Sequence, residues 1–387
     1  MEGQDSTMKL FSGVRKTFST MLGVMLVSML IAACGNPGGG GGTPPASGGG
    51  AQTGGGKGCT KVGVLLPETA SAERWDRNDR PLLTQKIEAI PGVKVDYYNA
   101  QDDPVKQQTQ AEAALTKGDC ILVVAPKNAD TADAIVQKAK AQNVPVISYD
   151  RLIHSKDLNY YVSFDNVKVG ELQGQYIVDN YQKYTSPGHN NLAMINGSQD
   201  DNNAILFRQG AMNKLKPLID SGKLKLVYDQ YTPGWVNDKA RTEIEGVLTA
   251  QSNDLQIAYV ANDGMANSVI AALKAKKLNG KVLVTGQDAS VAGLQNILTG
   301  DQIMTVFKPF ELEAQATADL VKALHDGTDP NTITQGVTTD FNGAKIPSVL
   351  KTPIAVDKTN VKVVIDSGQI TKEALCQNLP AGTGGIC

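Results

Sequence analysis

The chain has 387 residues, a formal net charge of −2, 41% hydrophobic and 20% charged residues. This length accommodates two domains of about 100–200 residues each, the apolar fraction fills ordinary cores, and the lack of a basic excess argues against nucleic acid as a partner. Aromatic residues make up only 5%, with two tryptophans, so the position of each Trp is informative.

Residues 1–34 read as an address rather than as structure. Lys9, Arg15 and Lys16 form a positive region, and 21–33 is an uncharged, mostly apolar run. It is shorter than the roughly 20 residues that span a bilayer. Met8 serves equally well as a start, because residues 1–7 add nothing to the signal. The run ends in Leu30-Ile-Ala-Ala-Cys34, which resembles the lipobox of bacterial lipoproteins. That resemblance implies that Cys34 becomes the lipidated first residue of the mature protein and that the lipid is its one attachment to the membrane. Residues 35–58 are almost entirely Gly, Pro, Ser, Thr, Ala and Gln, the composition of a flexible tether. The GxGxxG matches inside it follow no strand and open no helix, which removes a dinucleotide-binding reading. Anchor and tether together put the folded part outside the cytoplasmic membrane, at the cell surface or in the periplasm.

Beyond the tether, strand-like runs alternate with helix-favouring stretches. Strands are expected over 61–67, 94–99, 120–126, 144–149 and 159–164, with helices such as 105–117 and 129–142 rich in Ala, Gln, Lys and Glu. A second set of strands follows at 192–196, 225–230, 257–261, 281–285 and 303–307, with helices near 167–182, 203–217, 238–251, 264–276 and 289–299. Such alternation predicts α/β architecture with parallel sheets. Two runs of five strands predict two similar three-layer lobes. The helix from about 310 to 326 returns to the first lobe, and the tail after 346 reads as irregular strands, Val361–Ile365 being the clearest. Residues 74–80 begin a helix with Pro81 inside it. The regular helix therefore starts near Asp79 or is kinked there.

Four further cysteines can stay oxidised in an exported protein. Cys59 and Cys120 each lie just before strands that would be sheet neighbours, which fits a Cys59–Cys120 bridge; Cys376–Cys387 would close a short C-terminal loop. Four cysteines alone do not fix connectivity, and free buried thiols remain the alternative.

Polar and indole groups collect where strands end, which is where ligands sit in open α/β sheets. The apolar run Val144–Tyr149 delivers Asp150-Arg151, and strand 61–67 leads to Glu68 and then Arg74-Trp75. In the second set the endings are Asp201-Asn-Asn203, Gly234-Trp235, Asn262-Asp263, Gln287-Asp288 and Lys308. A sugar accounts for this mixture. Each hydroxyl donates one hydrogen bond and accepts two, bonds to charged groups contribute about 1.5–3 kcal/mol each, and the C–H faces of the ring can lie against Trp75 and Trp235. Asp150 and Arg151 would keep each other ionised at neutral pH. Singly, Asp and Asn after a strand are also ordinary turn and cap residues; it is the joint pattern that points to a ligand.

The motifs Glu73-Arg-Trp75, Tyr149-Asp-Arg151, Ser163-Phe-Asp-Asn166 with Val169-Gly-Glu171, Asp201-Asn-Asn203, Gly234-Trp235, Asn262-Asp263, Gly286-Gln-Asp288 and Phe307-Lys-Pro309 occur in this order. Over roughly 60–345 they resemble the periplasmic D-xylose-binding proteins of ABC importers, in the type I sugar-binding family. The resemblance implies an N-terminal lobe of 59–164 plus 309–345 and a C-terminal lobe of 165–308 plus 346–387, joined by three crossover strands. It implies hydrogen-bonding ligands at Arg74, Asp150, Arg151, Asn203, Asn262, Asp288 and Lys308, with Trp75 and Trp235 as walls, one from each lobe. It further implies a monomer without cofactor or metal that captures a monosaccharide, D-xylose, and delivers it to an ABC permease and its ATPase subunit. The segment Glu68-Thr-Ala-Ser-Ala72 and Pro81 depart from the family pattern.

An enzyme finds less support. A glycosidase needs carboxylates about 5–5.5 or 6.5–9.5 Å apart; Asp150 and Asp288 imitate such a pair, but Arg151 would keep Asp150 a poor acid. His154, His189 and His325 show no HExxH spacing, and neither a P-loop nor a GxSxG elbow is present. A sugar sensor facing a membrane receptor is a rival that sequence does not separate from import. A transcription regulator is disfavoured by the lipobox-like leader and by the lack of an N-terminal helix-turn-helix.

Overall fold

A computed structural model describes residues 55–387. The leader, Met8, Cys34 and the tether up to residue 54 lie outside the described residues. Residues 55–58, expected in the tether, sit against the body: the Gly58 amide donates to the His325 carbonyl at 2.8 Å, and the Gly56 carbonyl accepts from Cys59 at 2.9 Å.

The first half alternates as its apolar runs dictate: β1 (Lys61–Leu66), α1 (Arg80–Glu88), β2 (Lys94–Asn99), α2 (Pro104–Lys117), β3 (Ile121–Val124), α3 (Asp133–Ala141), β4 (Val146–Tyr149) and β5 (Tyr160–Phe164). It continues with α4 (Asn166–Asn180), β6 (Asn191–Asn196), α5 (Asn202–Asp220), β7 (Lys225–Tyr231), α6 (Asn237–Ala250), β8 (Ile257–Val260), α7 (Asp263–Ala275) and β9 (Leu283–Val284). The last part comprises α8 (Val291–Thr299), β10 (Met304–Phe307), α9 (Phe310–Asp326), α10 (Asn331–Thr334), β11 (Thr338–Phe341), β12 (Ala344–Lys351), β13 (Ile354–Asp357), α11 (Lys362–Asp366) and α12 (Lys372–Cys376).

Two sheets organise two lobes. The first runs β11-β12-β5-β4-β3-β1-β2, all neighbours parallel except β11 with β12. β3 and β4 are buried along their whole length, as expected of central strands covered by helices on both faces. The second runs β7-β6-β8-β9. β10 extends it, since Asp288 N donates to Val306 O at 2.8 Å and Val306 N to Gly286 O at 3.0 Å, and β13 pairs antiparallel to β10. α9 returns to the first lobe, where Ala314, Leu320 and Val321 join the core of Val62, Val123 and Ile147. The chain passes between lobes after β5, after β10 and between β12 and β13. No helix among the described residues is long and apolar enough to cross a membrane.

In the second lobe α4 and α5 pack backbone to backbone. A Cβ on Gly170 would stand 1.9 Å from Phe207 O, and one on Gly210 would stand 2.0 Å from Val167 O, so both positions require glycine.

Two expectations are corrected. Val361–Ile365 is not a strand; α11 occupies 362–366, with Val361 and Val364 in one apolar cluster beside Leu294 and Leu298 of α8. A short apolar run is compatible with either period, and here the i, i+3 pair faces a helix. The lobe boundary at 345/346 falls inside β12, whose residues 348–351 pair with β5 in the first sheet, so the crossing lies at 351–354. The regular helix starts next to Asp79, as the position of Pro81 requires: Asp79 is the N-cap of α1. A single π turn, Trp75–Asp79, runs into α1 with Pro81 in its first turn, where the missing N–H and the ring are accommodated.

The cysteines join Cys59 to Cys120, with Cα atoms 5.5 Å apart beside the β1–β3 ladder, and Cys376 to Cys387, 5.3 Å apart in the tail.

Candidate functional site: a polar cleft between the lobes

All nine residues singled out from the sequence border one space between the lobes. Arg74 and Trp75 come from the π turn after β1, Asp150 and Arg151 from the end of β4, and Lys308 from the crossing after β10. The second lobe supplies Asn203 at the start of α5, Trp235 between β7 and α6, Asn262 at the start of α7 and Asp288 after β9. Parallel strands with helices between them put these endings on one edge of each sheet, and the two edges face each other.

Asp150 is the hub. Its Oδ2 accepts from Arg74 Nη1 at 2.7 Å and Lys308 Nζ at 3.2 Å, and its Oδ1 from Asn203 Nδ2 at 3.2 Å. Its backbone carbonyl accepts from Ser163 Oγ at 2.7 Å, Tyr161 Oη at 3.0 Å and Asn203 Nδ2 at 3.0 Å. Burial pushes the Asp150 carboxyl up, but the charges of Arg74, Lys308 and Arg151 outweigh it and hold the group well below the usual carboxylate range. It is therefore an acceptor and not a proton donor.

Arg151 acts on Asp150 through its charge, as expected, but its direct ion pair is with another carboxylate. Successive side chains at a strand end diverge; Arg151 Nε instead meets Asp201 Oδ2 of the other lobe at 2.8 Å. Asp201 Oδ2 also accepts from Trp235 Nε1 at 3.1 Å, which fixes the indole beside the cleft.

Behind the cleft, Arg74 is held from three sides. Nε and Nη2 grip Asp79 at 2.8 Å each, and Nη2 also reaches Glu313 Oε2 at 3.0 Å. The guanidinium lies 4.5 Å from the Trp75 ring and 4.1 Å from Phe310. Tyr149 Oη donates to Asp79. Burial, followed by the neighbouring Asp150 charge, pushes the Glu313 carboxyl well above its ordinary range, against the pull of Arg74 and Lys308. The cations Arg74, Arg151 and Lys308 thus sit among Asp79, Asp150, Asp201 and Asp288; charges largely cancel, and the lining suits an uncharged ligand.

Several groups retain hydrogen-bonding capacity. Trp75 Nε1, Gln287 Oε1 and Asp288 Oδ1 are shielded from solvent without a hydrogen-bond partner, although Lys308 Nζ stands 3.3 Å from Asp288 Oδ1. A donor and acceptors of this kind are matched by hydroxyls. Asn262 serves twice: its Oδ1 caps α7 by accepting from Met265 N at 2.9 Å while the residue borders the cleft. Asp150, Trp235 and Asp288 all adopt positive φ, at 59°, 59° and 95°. Such backbone strain in non-glycine residues concentrates at functional sites. With Arg151–Asp201 and Asn203–Asp150 made across the cleft, the space left is about 30 Å³.

Asp79, Asp201, Phe207, Gln287 and Glu313 were not singled out from the sequence. Asp201 and Gln287 carried a signal, as neighbours of Asn203 and Asp288 in the same loops. Asp79 and Glu313 carried none, because each reads as an acidic residue in the first turns of a helix.

Residues 62–329 match the periplasmic binding protein domain family. The D-xylose-binding periplasmic protein of Escherichia coli (strain K12) is 39% identical over 315 residues, spanning 81% of this chain and 92% of that protein. The multiple sugar-binding periplasmic receptor ChvE of Rhizobium radiobacter is 38% identical over 332 residues, again 81% and 92%. A crystal structure of an ABC transporter solute binding protein from Clostridium phytofermentans with bound β-D-glucose superposes with a TM-score of 0.74 at 32% identity, covering 82% of this chain and 100% of that one.

Proposed function

The chain belongs to the type I periplasmic sugar-binding proteins, and on that premise we propose that it captures D-xylose between its lobes and delivers it to the permease of an ABC importer. The observation that carries this reading is the meeting of Arg74, Asp150, Asn262, Asp288 and Lys308 around one space. The chain is also 39% identical to a D-xylose-binding protein. Trp75 and Trp235 serve as the apolar walls against the ring. The ring is admitted with the lobes apart, because the closed space is only about 30 Å³. Closure then completes hydrogen bonds from both sides, since only the closed form makes both sets. The closed shape docks on the permease, and a separate ATPase subunit drives release. Cys34 carries the lipid that keeps the protein near the permease; loss of membrane association in Cys34→Ala checks this.

Titration calorimetry against xylose, glucose, arabinose, ribose and galactose tests the sugar. Tightest binding of xylose is expected. A broader aldose range is the second reading, favoured by the 38% identity to a multiple sugar-binding receptor; glucose binding as tightly as xylose would establish it. A sensing role uses the same closed form, and retained xylose uptake in a strain lacking the protein would favour it over import.

A further inference from the structure

Beside the inner site lies a larger cavity of about 700 Å³. The two share Arg74, Asn262 and Asp288 as walls. Its volume falls in the roughly 300–1,000 Å³ range of small-molecule pockets. Both lobes and the tail contribute to it: Asn78 from the first lobe, Asn237 and Asn267 from the second, and Gln377 from the disulfide-closed C-terminal segment.

Two features define its chemistry. The first is an amide-rich lining. Asn and Gln both donate and accept, which suits hydroxyls, and Asn237 Oδ1 is shielded from solvent with no hydrogen-bond partner. The second is the absence of a dominant charge. Arg77 is paired with Glu73 at 3.1 Å, and Arg74 is satisfied by Asp79, Asp150 and Glu313. Ile370 and Ala374 add apolar surface for the C–H face of a ring.

We propose that this cavity is a second subsite, holding a neutral glycosyl substituent on the sugar whose ring occupies the inner site, so that the protein takes disaccharides as well as free monosaccharides. This rests on the monosaccharide reading above. The shared walls mean that an oxygen of the inner sugar near Arg74, Asn262 or Asp288 is where the substituent leaves. The tail is then part of the recognition surface, because Gln377 faces the cavity beside the Cys376–Cys387 bridge.

The test is calorimetry on the folded protein with xylose, glucose, xylobiose and cellobiose, for the wild type and for Asn237→Ala, Gln377→Ala and Asp150→Ala. At least one disaccharide should bind. Asn237→Ala and Gln377→Ala should each weaken it about fivefold, in line with loss of a neutral hydrogen bond, while leaving the monosaccharide within twofold. That unchanged monosaccharide affinity also certifies the fold of the variants. Asp150→Ala should weaken both ligands. Monosaccharide binding with no disaccharide binding at millimolar concentration overturns the second subsite and leaves the first reading standing. So does equal weakening of both ligands by the two amide variants, which would mean that the larger cavity holds the monosaccharide itself. Binding of none of the four sugars overturns both readings.

Discussion

Arg74 Nη1 donates to Asp150 Oδ2 at 2.7 Å, joining two fully buried side chains 76 positions apart. The pair is the floor of the cleft. Behind it Asp79 and Glu313 orient the guanidinium, and in front of it Lys308 shares the same carboxylate oxygen at 3.2 Å. One acceptor thus positions two cations from distant parts of the chain, the turn after β1 and the crossing after β10.

Asp150→Ala should therefore do two things. It removes the acceptor shared by Arg74 and Lys308, weakening monosaccharide binding by more than tenfold, since hydrogen bonds to charged groups contribute about 1.5–3 kcal/mol each. It also removes one of the carboxylates shared by Arg74 and Lys308, which keep Asp79 and Asp288 beside them, so stability should fall by less than the roughly 3–5 kcal/mol of a buried charge left wholly unpaired. Calorimetry and denaturant unfolding of the variant read the two effects separately.

The Arg151–Asp201 contact, 2.8 Å across the cleft, belongs to the closed form. Arg151→Ala should weaken binding by more than tenfold. Asp201→Asn should leave the sugar-saturated protein with a larger radius of gyration than the wild type in solution scattering. A wild-type radius that does not fall on saturation with xylose would refute closure itself.

Two glycines in helices of the second lobe should respond in opposite ways to alanine. Gly170→Ala drives a Cβ toward Phe207 O at 1.9 Å and should destabilise by about 1–3 kcal/mol or more, as overpacking does. Gly246, within α6, faces open space: a Cβ added there would meet nothing within 4 Å. Gly246→Ala should stabilise by roughly 0.5–1 kcal/mol, because alanine loses less backbone entropy in a helix. Thermal unfolding of the two variants compares them directly.

Asp263 sets a pH dependence. Burial pushes its carboxyl up to about 7, against hydrogen bonds from Gln302, the Ser290 amide and Thr305, with Asp288 adding a further upward push. A carboxyl raised on folding binds its proton more tightly in the native state, so the slope of stability with pH is negative between the unfolded and folded values. The stabilisation is complete below about pH 4 and is lost as pH rises through about 7. Asp263→Asn, which cannot titrate, should flatten that fall. Melting temperatures of wild type and variant between pH 4 and 8 test it; parallel curves would show that Asp263 does not titrate in this window.

Much of the architecture was legible locally. Ile121–Val124 and Val146–Tyr149 announce central strands because a run apolar on both faces needs cover on both sides. The polar endings announced a ligand cleft because a hydrogen-bonding side chain after a buried strand stands at the sheet's edge. Trp75 and Trp235 were identifiable because the chain has only those two. The run at 361–365 was not legible, since five residues, four of them apolar, satisfy either period until a partner surface chooses one.

The order of residues along this chain determined the alternation of strands and helices, and with it which side chains stand at strand ends. Spacing along the chain is a local property, and periodicity encodes it. Only the tertiary structure decided who meets whom there: that Asp150 takes Arg74 and Lys308 as partners, that Arg151 reaches across to Asp201, and that Asp79 and Glu313 lie behind the cleft. Those pairings depend on how two sheets face each other and on the diverging directions of adjacent side chains, and neither is a property of any single stretch of sequence.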